Sequence, residues 1–113
     1  MPGAEEFRTI ALSLPEAAEK ETWGHPTFRV RDKMFASMAE DGSTGTVKAT
    51  RQEQAALLSA AADTFFVPAY VGQHGWVGIN LPLVDPGELE DLIVEGWRLT
   101  APKRVVKAYD DPA

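Results

Sequence analysis

Cysteine is absent from the 113-residue sequence. Its absence excludes disulfide bonds, thiolate metal ligands and thiol nucleophiles together. A chain without cysteine suits a reducing compartment, so we expect a cytoplasmic protein. Histidine is scarce too: His25 and His74 are the only two in the sequence, and any imidazole chemistry depends on them.

An excess of positive charge is also lacking. Seventeen acidic and eleven basic residues give a net charge of −6, which opposes long-range attraction to nucleic acid. The charges are unevenly distributed, because residues 52–97 contain seven acids and no Lys or Arg, whereas residues 97–109 contain four basic residues and no acid. Segregation of this kind can leave a local positive surface on an acidic protein.

The sequence gives no sign of membrane insertion or of hydrolytic catalysis. The N-terminal stretch MPGAEEFRTI has acids where a signal peptide has a basic end and an apolar run. The uncharged stretch 64–84 contains three glycines and two prolines, so two strands and a turn explain it better than a spanning helix. There is no Gly-x-Ser-x-Gly motif. We therefore expect a protein that is not an enzyme and does not contact a membrane.

Helices are predicted from apolar spacing and from capping residues. Phe7, Ile10 and Leu14 have the spacing of one buried helical face. Thr50 begins a second helix through a Thr-x-x-Glu capping box. Asp85 begins a third, with Pro in the first helical position.

Beyond the third helix, Pro102 interrupts the helical pattern. Thr100 is expected to cap a short fourth helix that carries Lys103, Arg104 and Lys107.

Five strands are predicted from alternating apolar residues. They lie in the segments TFRVR, KMFASMAE, TVKAT, FFVPAYVG and GWVGINL. Pro68 cannot donate to a ladder, so its strand is expected at a sheet edge or with a bulge. Because turns join most of these strands, the order indicates one α+β domain over residues 1–113. It would be a two-layer sandwich, an antiparallel sheet of about five strands with helices on one face.

The apolar positions of these elements define an expected core. Its members are Phe7, Ile10, Leu14, Phe28, Val30, Met34, Met38, Leu57, Leu58, Val77, Ile79, Leu81, Leu92, Ile93 and Trp97.

The same segments, in their order and spacing, resemble the MmcQ/YjbR family over nearly the whole chain. The resemblance rests on ETWGHPTFRV, KMFAS, VKA, FFVPAYVGQHGWVGINL and LTAPKRVVK. It implies a YjbR/CyaY-like fold in a bacterial protein, and no enzymatic reaction. Members are commonly described as DNA-binding on the basis of the fold, with two β-hairpins as wings. Here the wings would span 26–38 and 65–81, and the second departs from the pattern because it has no Lys or Arg.

Two triplets, Trp23-Gly24-His25 and His74-Gly75-Trp76, mirror each other fifty residues apart. Neither histidine has the spacing of a metal site, so we interpret the triplets as turns and expect no metal and no cofactor. If the two segments are neighbours in the sheet, their aromatic rings line one cleft. The cleft candidates are Trp23, His25, Tyr70, His74 and Trp76.

A second set of candidates is basic, and its members could contact phosphates. The candidates are Arg29, Arg31, Lys33, Lys103 and Arg104. The C-terminal cations could instead complement a helix dipole.

Two functions therefore remain open. One is a non-enzymatic DNA-binding or regulatory domain that binds DNA weakly. The other is a small-molecule or protein-binding module that uses an aromatic cleft around Trp23, Tyr70 and Trp76. One contiguous basic face would favour the first function, and basic groups on opposite faces the second.

Overall fold

The computed structural model describes residues 3–111, in which four helices and six strands form two layers. Met1, Pro2, Pro112 and Ala113, which belong to the expected domain of residues 1–113, lie outside the described residues. The elements are α1 (Ala4–Ser13), β1 (Ala17–Thr22), β2 (His25–Val30), β3 (Lys33–Met38), β4 (Thr44–Val47), α2 (Arg51–Ala60), β5 (Phe65–Phe66), β6 (Val77–Asn80), α3 (Pro86–Arg98) and α4 (Lys103–Asp110). Within residues 3–111, none of the helices has the length and apolar character needed to cross a bilayer.

The strands form one antiparallel sheet in the order β1-β2-β3-β4-β6-β5. The predicted α+β class and antiparallel sheet are confirmed, with one strand more than the five expected. The additional strand is β1, whose sequence AAEKET is mostly Ala, Glu and Lys, residue types depleted in strands. It forms because its backbone pairs with β2 along its whole length, from Ala17 with Val30 to Thr22 with His25.

A bulge in β3 determines which residues enter the core. Phe28 pairs with Ala36 and Arg29 with Met34, so Phe35 is the extra residue. The bulge turns Phe35 and Ala36 to the same face, and both are buried. Met34 stays opposite Arg29 and is only partly buried. The prediction that Met34 belongs to the core is therefore wrong, and Phe35 takes its place.

The core lies between the sheet and the helices. Eleven of the expected core residues are buried there: Phe7, Leu14, Phe28, Val30, Met38, Val77, Ile79, Leu81, Leu92, Ile93 and Trp97. Ile10 of α1 is only partly buried against this cluster. Leu57 and Leu58 are also only partly buried, because their helix α2 packs near the edge strand β5. The indole N–H of Trp97 donates to the Pro15 carbonyl at 3.0 Å, which ties α3 to the end of α1.

The predicted helix starts are confirmed at Thr50 and Asp85. The Thr50 hydroxyl accepts from the backbone N–H of Glu53 at 3.1 Å, and the Asp85 carboxylate accepts from two backbone N–H groups at 3.0 and 3.2 Å. Thr100 does not cap α4, because its hydroxyl donates to the Gly96 carbonyl one turn earlier, at 2.9 Å. The helix α4 begins after Pro102 without a side-chain cap.

The predicted edge strand is also confirmed. The short strand β5 forms one edge of the sheet and ends two residues before Pro68.

We expect Leu92→Ala to lower the free energy of unfolding by about 2–5 kcal/mol, the range for truncating a buried leucine. Leu92 lies on α3 and is 8% exposed. Leu12→Ala is the control, because Leu12 on α1 is 40% exposed and should change stability by no more than about 0.5 kcal/mol. Urea unfolding followed by circular dichroism measures both variants, and equal losses would contradict the role of α3 in the core.

Candidate functional site

The two faces of the sheet carry different charges. Alternation along β1 places Glu19 and Glu21 on the face that the helices cover, and there Glu19 accepts from Arg8 of α1 at 2.8 Å. We call the opposite side the open face. Its polar side chains, from alternation and strand pairing, are Lys20, Thr22, His25, Thr27, Arg29, Ser37, Thr44, Thr46, Lys48 and Asn80. Three of these residues are cations, and none is a carboxylate.

The cation Arg29 is held in place on the open face by three hydrogen bonds. Its guanidinium donates to the Thr27 hydroxyl at 3.3 Å, to the Thr22 hydroxyl at 3.4 Å and to the Asp32 carbonyl at 3.2 Å. The buried Thr27 hydroxyl in turn donates to the Lys20 carbonyl at 2.6 Å. Lys20 lies diagonally across from Arg29 on the paired strand. The open face thus carries one positioned guanidinium with an ammonium beside it.

A groove of about 310 Å³ opens on the same side of the sheet. It lies between the β1–β2 turn and the loop that follows β5, and residues lining it include Trp23, His25, Thr46, Phe66 and Pro68. The ring of Phe66 fills the space above Gly78, where a Cβ atom would collide with it. Glycine at this position of β6 therefore lets an aromatic ring form one wall of the groove.

The groove lining also contains one acid, Glu40. Two of its hydroxyls, on Ser37 and Thr46, hydrogen-bond to each other across β3 and β4.

Two aromatic residues at the groove stand almost wholly in solvent. Trp23 is 95% exposed and Tyr70 is 92% exposed. Trp23 lines the groove and Tyr70 follows Ala69, which also lines it. Both residues have positive φ angles, 55° and 64°, a conformation that is uncommon for bulky side chains and costs about 1–3 kcal/mol. The chain therefore holds two large rings in water with a strained backbone.

The five cleft candidates are divided by the fold. Trp23 and His25 line the groove, whereas Tyr70 is exposed and follows the lining residue Ala69 in the chain. His74 is exposed in a short 3₁₀ turn at Val71–His74, and Trp76 is buried apart from the continuous core.

Contacts with α2 explain where the second triplet lies. The Gln54 side chain donates to the carbonyls of Gly72 and Trp76 at 2.9 and 2.6 Å, so this segment packs on the start of that helix. The interpretation of both triplets as turns is confirmed, because Gly24 and Gly75 have φ angles of +84° and +94°.

The five basic candidates are divided as well and form no contiguous face, so that taken alone they favour the small-molecule or protein-binding function. Only Arg29 lies on the open face. Lys33 pairs opposite the buried Val30, and Lys103 is exposed in the first turn of α4, in the helical layer.

The remaining two basic candidates, Arg31 and Arg104, lie near the same acid, Glu16. Arg31 forms an ion pair with Glu16. Both residues line a cavity of about 490 Å³ together with Arg104 of α4. The hydrogen bond from Arg31, aided by the charge of Arg104, lowers the pKa of the Glu16 carboxyl below its ordinary value.

Sequence reasoning missed three residues that shape the open face. Lys20 lies on the strand that was not predicted. Lys48 follows β4. The alternation of Val47 and Ala49 in the sequence indicates which way the Lys48 side chain points, but not which residues of other strands lie beside it. Phe66 could have been found only from its pairing with Gly78.

Comparison with known proteins gives a family and a fold. The family model YjbR matches residues 12–99. The crystal structure of the Deinococcus radiodurans protein DR2400, which has a DUF419 domain, is similar with a TM-score of 0.79. That similarity covers 88% of this chain and 78% of the other at 19% sequence identity, a level at which it indicates the fold alone. No curated protein matches the chain.

We expect Arg31→Gln to raise the pKa of Glu16 toward its ordinary value, because the variant removes the hydrogen bond that favours the charged carboxylate. Lys33→Gln removes a nearby charge without touching Glu16 and should leave that pKa unchanged. Side-chain carboxyl NMR titration measures both. If the two variants titrate alike, the Arg31–Glu16 ion pair is not formed in solution.

We also expect purified protein to contain no stoichiometric zinc or iron. The two triplets lie at separate turns, and residues 3–111 contain no group of three or more His, Asp or Glu side chains that could hold a metal ion. Elemental analysis tests this for the wild type, His25→Ala and His74→Ala. One equivalent of metal that is lost in either variant would overturn the prediction.

Proposed function

Because the chain belongs to the YjbR family, we propose that it binds nucleic acid through the open face of its sheet and catalyses no reaction. The observation that carries this proposal is the segregation of charge between the two faces. The cations Lys20, Arg29 and Lys48 project from the open face, whereas the carboxylates of β1 lie on the helix-covered face. The proposed contact surface is therefore the face of the sheet rather than the tips of the two hairpins.

The chemistry of the open face suits a phosphate backbone. Arg29 presents a guanidinium whose orientation is already fixed, so less side-chain freedom is lost when a phosphate binds. Partly exposed hydroxyls of the same face, those of Thr22 and Thr44, can contact phosphate and sugar oxygens. Three neutralised phosphates on a single strand correspond to a log–log salt slope of about −2. The net charge of −6 keeps the expected affinity low.

The absence of catalysis is part of the proposal. The hydroxyls of Ser37 and Thr46 hydrogen-bond to each other, which does not activate either oxygen as a nucleophile. We propose in addition that the protein acts in the cytoplasm of a bacterial cell, a compartment that contains nucleic acid.

The groove supports a second candidate function, the binding of a small molecule. Its volume of about 310 Å³ is at the lower end of the range for ligand sites. Trp23 and Phe66 supply apolar walls, while His25 and Glu40 supply polar groups. Binding of a neutral small molecule would be nearly independent of salt, unlike the binding of a polyanion.

We expect the double variant Lys20→Glu with Lys48→Glu to weaken binding of a labelled oligonucleotide by at least about tenfold, or 1.4 kcal/mol. The matched control is Lys103→Glu with Arg104→Glu, which makes the same change in net charge within the helical layer. The control should change binding less than about twofold at physiological salt, where distant charges are screened. Fluorescence anisotropy measures both variants, and circular dichroism checks that each is folded.

Equal losses in the two double variants would mean that net charge, and not the open face, governs binding. Absence of binding by the wild type to single-stranded and duplex DNA, even at 20–50 mM salt, would overturn the proposed function.

A further inference from the structure

We infer that the groove receives one unstacked base of a single-stranded nucleic acid, with the ring of Trp23 as its stacking platform and the exposed ring of Tyr70, next to the lining residue Ala69, as a second platform. This inference rests on the proposed function and specifies the form of the ligand. Phosphates would contact the open face, and a base would leave the backbone to enter the groove.

The exposed rings are the first observation behind this inference. Trp23 and Tyr70 are each more than 90% exposed, whereas other exposed large apolar side chains among the described residues are covered to a greater extent. Both backbones adopt positive φ. Rings exposed to water contribute little to the free energy of folding. The positive φ angles at these two residues in addition make the folded backbone less stable. Their arrangement is explained if a partner covers them.

The charge around the groove is the second observation. Lys20, Arg29 and Lys48 share the open face with the groove, so a polyanion is the complementary partner for that face. The groove itself contains Glu40 and no Lys or Arg, and a carboxylate repels a phosphate. The backbone of the ligand therefore lies over the cations, and its uncharged part lies in the groove.

The shape of that uncharged part is the third step. Nucleobases are planar and every base has a π-face, so they stack on aromatic side chains without regard to sequence. In a duplex these faces are covered by neighbouring base pairs, and only a single strand can offer one. The groove has a volume suited to one ring system. A single strand is therefore preferred to a duplex of the same sequence.

The test compares a labelled 12-nucleotide single strand with the same strand annealed to its complement, by fluorescence anisotropy. We expect wild-type protein to bind the single strand at least about tenfold more tightly than the duplex. Trp23→Ala should remove this preference by weakening only single-strand binding, and Tyr70→Ala should reduce it. Trp23→Phe should retain most of it, because phenylalanine keeps a stacking face.

Two further measurements separate stacking from other effects. Leu83→Ala removes an exposed apolar side chain outside the groove lining and should leave both affinities unchanged. Quenching of tryptophan fluorescence by the unlabelled single strand should be large in the wild type and small in Trp23→Ala, because Trp76 and Trp97 are buried.

The outcomes distinguish this inference from the proposed function. Equal binding of single strand and duplex, unaffected by Trp23→Ala, would overturn the base-stacking inference and leave the proposed function standing. A single-strand preference that persists in Trp23→Ala would also overturn it. Absence of binding to either ligand by the wild type would overturn both.

Discussion

The pairing register of β2 with its two neighbours, β1 and β3, is the constraint on which the surface of this domain depends. Because a strand alternates its side chains, a shift of one residue moves every side chain beyond it to the other face. The bulge at Phe35 makes that shift once in β3, so that Phe35 and Ala36 both face the helices while Met34, opposite Arg29, points away from them. The strand β1 pairs with β2 without a bulge, so Glu19 lies beside Phe28 and Lys20 beside Thr27. The separation of charge between the faces therefore follows from regular alternation in β1 and β2, and the bulge decides only which residues of β3 accompany each face.

Features that depend on a few neighbouring residues could be predicted from the sequence. Thr50 and Asp85 begin helices because their side chains reach N–H groups within three residues. Trp97 joins the core because it continues the apolar stripe of its own helix. Pro68 marks a strand edge because it has no N–H to donate. Each of these depends on chemistry that is complete within one element, and each is confirmed.

Features that depend on pairing between distant segments could not be predicted in the same way. The strand β1 has a composition that disfavours strands and forms through its pairing with β2. Arg29 and Arg31 were grouped because they are two residues apart, but the strand ends at Val30 and Arg31 enters a turn with a φ of 52°. Alternation stops at that turn, and Arg31 pairs with Glu16 instead.

The two glycine triplets show how one sequence pattern can serve two different constraints. Gly24 allows a two-residue hairpin turn in which both residues have positive φ, and this turn presents Trp23 to solvent. Gly75 allows close packing instead, because a Cβ there would lie within 2.9 Å of the backbone around Thr50. The first triplet is thus free to take part in binding, while the backbone of the second is tied to the start of α2. Similarity of sequence alone did not indicate this difference.

Screening explains how an acidic domain can offer a binding face to a polyanion. Stacked layers of a protein are separated by about 10 Å, and the Debye length at physiological ionic strength is about 8 Å. Acids on the far side of the helices thus lie beyond one screening length from a ligand on the open face, whereas Lys20, Arg29 and Lys48 would contact it directly. The net charge of −6 consequently lowers the rate at which the ligand approaches more than it lowers the strength of the contact once formed. In such an arrangement the rings of Trp23 and Tyr70 supply an attraction that salt does not screen, so that binding would not depend on three cations alone.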